Sequence, residues 1–290
     1  MAAAFAIAVC LFIGLPTASA QPVDTVLVED YSIGNFQRAT RIVVGTQGTI
    51  YVLDADENKV SLFCNPQDAP KTLGGFGWSS SSFDKPTGVA TDGVNVYISD
   101  YGNHRIQRFD RDFNYISSLS TRDTSDVSSR FGYPLDIALS EFGDLFILDG
   151  ENIRVIKFNS QGSFERVFGD INAGKGKIQN PTKLLAANSR VFVGEKNKIL
   201  EYDYFGNYLG SIGDGVMSNL AGFAIMTNGL IAASNDSIWW FTRTGVLQKN
   251  SSLDRIISGD RIDQIQDIAW KGERFFILSQ HRIHIFKMVQ

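Results

Sequence analysis

The sequence predicts an all-β fold, a six-bladed β-propeller with four antiparallel strands per blade. Three observations predict it. An apolar motif returns six times along the 290 residues. Apolar and polar residues alternate with a period of two around each copy. Glycine, asparagine and aspartate fall where tight turns are needed. The copies lie roughly 40 to 50 residues apart, the spacing of propeller blades.

The motif is plainest as Gly48-Thr49-Ile50-Tyr51-Val52-Leu53-Asp54. It returns as Val94 to Asp100 and as Gly143 to Asp149, and in weaker form at Arg190 to Glu195, Gly229 to Ser234 and Glu273 to Ser279. A short apolar strand precedes each copy, beginning at Arg41, Gly88, Asp136, Lys183, Gly222 and Asp267. An alternating strand follows, as in Arg105-Ile106-Gln107-Arg108-Phe109. A fourth strand completes the unit, as in Ser163 to Phe168. Four strands make one blade. The sixth copy runs out at Gln290 before its fourth strand, whereas Val23 to Val28 is a strand without a copy. That N-terminal strand is therefore expected to complete the last blade and close the ring.

The second copy reads Asp100-Tyr101-Gly102-Asn103-His104-Arg105-Ile106-Gln107-Arg108-Phe109, preceded by Pro86-Thr87-Gly88-Val89-Ala90-Thr91-Asp92. It closely resembles the NHL repeat. The resemblance covers nearly the whole chain after residue 20 and is strongest in the first three copies. It implies the propeller fold. It says little about activity, because the family spans RNA-binding ligases, sensor domains of bacterial receptor kinases and some enzymes.

Composition bounds the partners. The chain carries 27 Lys and Arg against 31 Asp and Glu, a formal net charge of −4. A nucleic-acid ligand is not expected, because its phosphates need a basic footprint. Ala2 to Leu15 is an unbroken run of apolar or small residues, followed by Pro16 and the small-residue signature Ala18-Ser19-Ala20. Residues 1–20 read as a signal peptide and residues 21–290 as the propeller domain, which is thus expected to be secreted or periplasmic, with no membrane span after cleavage. Of two cysteines, Cys10 falls in the signal segment and Cys64 in a strand pattern, where a buried, inert thiol is expected.

Residues that recur once per blade read as scaffold. Asp54, Asp100 and Asp149 are expected to bond turn backbone. His281 aligns with His104, and His284 with Gln107. The three histidines are thus explained by the repeat. A zinc-dependent lyase of the kind related propellers house would need more of them. Positions where the copies disagree carry more information. Aligned first residues of the inner strands include the charges Arg41, Asp136, Lys183 and Asp267, expected near one channel mouth. Charges taken out of water must pair or meet a ligand. Two readings therefore stand: a self-satisfied ring of ion pairs, or a polar ligand-binding site. Asp136 and Asp267 could also give two oxygens to a calcium ion, as in propeller lactonases, although calcium takes six to eight. No cofactor is expected otherwise.

Aromatic residues supply the other candidate surface. Phe36, Phe76, Trp78 and Tyr133 fall in the loops that lead into inner strands, and those loops share one face. Aromatic anchors on such a face suit a partner interface. Against that, Phe83 and Phe131 stand at equal distances before Pro86 and Pro134, a recurrence that fits packing between blades. The reading is an exported recognition or scaffold module, non-catalytic, that binds a protein, peptide or glycan through the loop face and channel mouth. The alternative is a metal-dependent hydrolase or lyase in the channel.

Overall fold

The structure is a computed structural model that describes residues 26–289 apart from 257, 260, 261 and 263. Residues 1–20, expected to be a signal segment, lie outside the described residues. Six four-stranded antiparallel sheets are arranged around a central channel. Blade 1 spans 39–74, blade 2 86–119, blade 3 134–168, blade 4 181–212 and blade 5 222–252. Blade 6 takes its three inner strands from 265–289 and its outer strand from Val26–Ile33. Each inner strand contacts the next around the ring, and that of blade 6 contacts that of blade 1. Helix is confined, among the described residues, to three single 3-10 turns.

Closure follows the expectation, with a shift in boundary. Val26–Ile33 pairs along the whole of Ile283–Val289, so the closing strand runs further toward blade 1 than the sequence pattern implies. A register shift between Glu29 and Tyr31 interrupts it.

The middle strands are buried on both faces. Every residue of Ile50–Asp54 and Leu145–Asp149 is buried, because each blade is covered by two neighbours. Their alternate side chains serve two different cores. Ile147 packs in the seam between blades 2 and 3, whereas Phe146 and Leu148 pack in the seam between blades 3 and 4. Six hydrophobic clusters result, one per seam. Each fully buried Phe, Ile or Leu in them contributes about 1.5–3 kcal/mol.

Five of the six inner strands share one irregularity. Their first residue (Ala39, Pro86, Pro134, Pro181 or Ile265) faces the motif acid or its Ser279 counterpart, and the register then shifts before the residue two positions on. Proline suits the first position of a strand, where its missing N–H is harmless. A bulge re-aims a side chain. The residues that follow the shift are Arg41, Gly88, Asp136, Lys183 and Asp267.

Two sequence expectations are corrected by packing. Phe36 is 5% exposed and meets Phe63 edge-on at 6.2 Å in the seam between blades 6 and 1. It is core, not contact surface. Its place three residues before the inner strand is that of Phe83 and Phe131, both buried. Cys64 is exposed, because the third strand of blade 1 stops at Phe63 and the thiol falls in the following turn.

Candidate functional site

The recurring acids tie each incoming loop to its own blade. Asp54 accepts the Gln37 N–H at 2.7 Å, Asp100 the Asp84 N–H at 2.7 Å, Asp149 the Gly132 N–H at 3.3 Å and Glu195 the Gln179 N–H at 2.5 Å. The repeat histidines cross the seams instead. The His104 Nδ1 lies 2.9 Å from the Gly132 carbonyl of blade 3, and the His281 Nδ1 lies 2.9 Å from the Phe36 carbonyl of blade 1. These residues hold the scaffold.

At the ring centre, Arg41, Asp136, Lys183 and Asp267 meet in one cluster. The two aspartates are held alike. Asp136 accepts the Ile137 N–H at 2.9 Å and, from blade 4, the Leu184 N–H at 2.8 Å. Asp267 accepts the Ile268 N–H at 2.8 Å and, from blade 1, the Ile42 N–H at 3.1 Å. Lys183 donates to Asp267 at 2.5 Å and to the Ile268 carbonyl at 3.0 Å. Arg41 donates to the Thr182 carbonyl at 3.0 Å and lies 3.3 Å from Asp136 and 3.7 Å from Asp267. Around the ring the order is Arg, Gly, Asp and then Lys, Gly, Asp, the same construction twice. Glycine is required at both intermediate places. A Cβ at Gly88 would stand 2.5 Å from an Asp136 carboxylate oxygen, and one at Gly222 2.5 Å from an Asp267 oxygen.

None of the four charged residues is more than 9% exposed. They are buried, and they pair with one another. Burial pushes the Asp136 carboxyl above its ordinary value despite the pull of Arg41 and two amides. Burial likewise pushes the Lys183 ammonium down despite Asp267. For Arg41 the two aspartates outweigh burial, and its value rises. Arg41 approaches both Asp136 and Asp267, and among the described residues no three His, Cys, Asp or Glu side chains gather into a set that could hold a metal.

The loop face carries the second candidate. Phe76 is 75% exposed and Trp78 is 70% exposed, yet the backbone beneath them is fixed. Asn103 donates to the Gly77 carbonyl at 2.8 Å, and Arg105 donates to the carbonyls of Trp78, Ser79 and Ser82 at 3.0, 2.8 and 3.1 Å. Gln107 donates to the Ser82 carbonyl at 2.9 Å. The side chains that do this belong to the second copy of the repeat motif. On the same face Tyr133 packs, with tilted ring planes, against Tyr101 at 4.9 Å and against His104 at 4.4 Å. Sequence reading passed over Tyr101. Its signal was its place in the turn beside His104, on the face reached by the incoming loops.

Sequence reading also missed Glu29. On the closing strand it accepts from Ser258 at 2.6 Å and from the Gly259 N–H at 2.8 Å, and lies 2.8 Å from the His284 Nδ1. Burial pushes its carboxyl up, but these hydrogen bonds outweigh burial and hold it below its ordinary value. The other nitrogen of His284 lies 3.3 Å from the Ser279 hydroxyl.

Residues 83–109 match the family model of the NHL repeat. That stretch runs from the buried Phe83 through Asp100, His104 and Arg105. Over 147 residues, 49% of this chain, the sequence is 29% identical to the Brain tumor protein of Drosophila melanogaster, of which the match spans 14%. A catalytically inactive virginiamycin B lyase from Staphylococcus aureus with quinupristin superposes with a TM-score of 0.60 at 13% identity, covering 87% of this chain and 80% of that one. A luciferin-regenerating enzyme superposes with a TM-score of 0.63 at 12% identity, covering 92% and 95%. These two structures share the fold. The repeat match, the Brain tumor similarity and the six closed blades agree: the chain carries an NHL repeat at residues 83–109 and folds as a six-bladed β-propeller.

Proposed function

We propose that this propeller is an exported recognition module that binds a peptide segment of a partner protein on its loop face, with Trp78 and Phe76 as anchors. The observation that carries this reading is the exposed aromatic pair on a backbone pinned through Gly77, Trp78, Ser79 and Ser82. A partner that covers two large rings gains their burial without having to order the loop, which removes one of the costs of binding. The Tyr101–Tyr133–His104 ring cluster, on the neighbouring part of that face, extends the surface.

The test is selection from a displayed random-peptide library against residues 21–290. The proposal expects enriched peptides that compete with one another and fail to bind Trp78→Ala. No enrichment, or peptides indifferent to Trp78→Ala, would contradict it. Binding confined to a glycan array would replace the peptide by a sugar.

A further inference from the structure

Blades 1, 2 and 3 each bring a carboxylate to the same place on the loop face. In blade 1 it belongs to Asp56, two residues after the motif acid Asp54. In blade 3 it belongs to Glu151, two residues after Asp149. In blade 2 the corresponding residue is Gly102, and the Asp84 carboxylate lies where a side chain at Gly102 would stand. The Glu151 carboxylate covers Gly132 in the same way.

In blade 1 the chain answers this charge itself. Arg38, immediately before the inner strand Ala39–Val44, reaches Asp56 at 2.6 Å. The residue in that place is Lys85 in blade 2 and Tyr133 in blade 3. Blade 3 thus keeps the acid and replaces the cation by a ring. Asp84 and Glu151 are bonded through their main chains, their N–H groups donating to Asp100 at 2.7 Å and to Asp149 at 3.1 Å. Among the described residues neither carboxylate has a hydrogen-bond or ion-pair partner, and Lys85 forms no ion pair. Arg105 and Arg154 are engaged by Asp100, Asp149 and main-chain carbonyls.

The two carboxylates border the ring cluster. Gly102 follows Tyr101, and Gly132 precedes Tyr133. Tyr133 remains 39% exposed. The face of an aromatic ring attracts a cation, and a carboxylate beside it adds to that attraction. Arginine suits both, because its planar guanidinium stacks on a ring and forks onto a carboxylate. The cluster also adjoins the aromatic anchors, since Asn103, next to Gly102, holds the Gly77 carbonyl at 2.8 Å.

We infer that this part of the loop face takes an arginine side chain of the partner, its guanidinium on the Tyr133 ring, with Glu151 and Asp84 supplying the opposite charge. The inference rests on the peptide reading above and names a residue class that the site selects.

The test is fluorine NMR of the protein labelled with 3-fluorotyrosine, with the Tyr101 and Tyr133 signals assigned by Tyr101→Phe and Tyr133→Phe. The probes are two capped tripeptides, Gly-Arg-Gly and Gly-citrulline-Gly, which differ in charge and little in shape. The arginine peptide is expected to shift the Tyr133 signal saturably, and the citrulline peptide to bind at least about fivefold more weakly. Asp84→Asn with Glu151→Gln is expected to weaken the arginine peptide by a similar factor. No shift of Tyr133, equal binding of the two tripeptides, or unchanged binding in the double variant would overturn the inference. Library peptides that need Trp78 but carry no basic residue would overturn it too, while leaving the peptide reading intact. A failed library selection beside a saturable arginine response would instead contradict the peptide reading and support the cation site.

Discussion

The Asp136 carboxylate occupies the space that a side chain at position 88 would need, 2.5 Å from where its first carbon would stand. One blade thus dictates a glycine in its neighbour so that a buried acid can reach across the channel. Gly222 stands in the same relation to Asp267. Gly88→Ala is expected to cost about 1–3 kcal/mol as overpacking, and Gly222→Ala a similar amount. Gly210→Ala, with nothing within 4 Å, is the control. Chemical denaturation of the three variants checks this.

Buried and exposed ion pairs in this molecule are expected to differ sharply. Lys183→Met leaves Asp267 short of its cation inside the channel and is expected to cost about 3–5 kcal/mol. Lys287→Met removes a surface pair with Asp30 and is expected to change stability by about 0–1 kcal/mol. Urea unfolding midpoints at constant m-value measure both.

Two phenylalanines separate packing from recognition. Phe36→Ala opens the seam between blades 6 and 1 and is expected to cost about 3–5 kcal/mol of stability, without altering peptide affinity in the folded protein. Phe76→Ala is expected to do the reverse, with Tm unchanged and affinity reduced. Paired unfolding and titration data distinguish the two.

How much of this was legible in the sequence varies by residue. The blades were readable because each copy repeats the same alternation, and the closing strand because one copy lacked its fourth. The place of Phe36 was readable too, since it precedes Ala39 as Phe83 precedes Pro86, but the first copy lacks the proline that marks the slot. The inner-strand charges could be aligned, yet their partners could not be named. Lys183 meets Asp267 across 84 residues and a channel that no single repeat contains. Glu29 occurs once, on a strand borrowed by the last blade, so no repeat register points to it.

Glu29 also sets an acid limit on closure. Its folded pKa lies below the ordinary 4.5, so it contributes stability above that value and loses it as pH falls through the depressed one. The stability difference between wild type and Glu29→Gln is expected to be large near about pH 6 and to shrink below about pH 4. Denaturation at a series of pH values reads this directly, and a difference that grows toward acid would oppose it.

The proposed peptide site rests on the pinned aromatic pair of the loop face. The most direct measurement is calorimetric titration of one selected peptide into wild type, Trp78→Ala and Phe142→Ala. Phe142 is 69% exposed in the turn between the first two strands of blade 3, on the opposite face. Trp78→Ala is expected to lose at least about tenfold in affinity, in line with an aromatic anchor, and Phe142→Ala to show no change. Equal affinity for wild type and Trp78→Ala, or a loss seen only with Phe142→Ala, would contradict it.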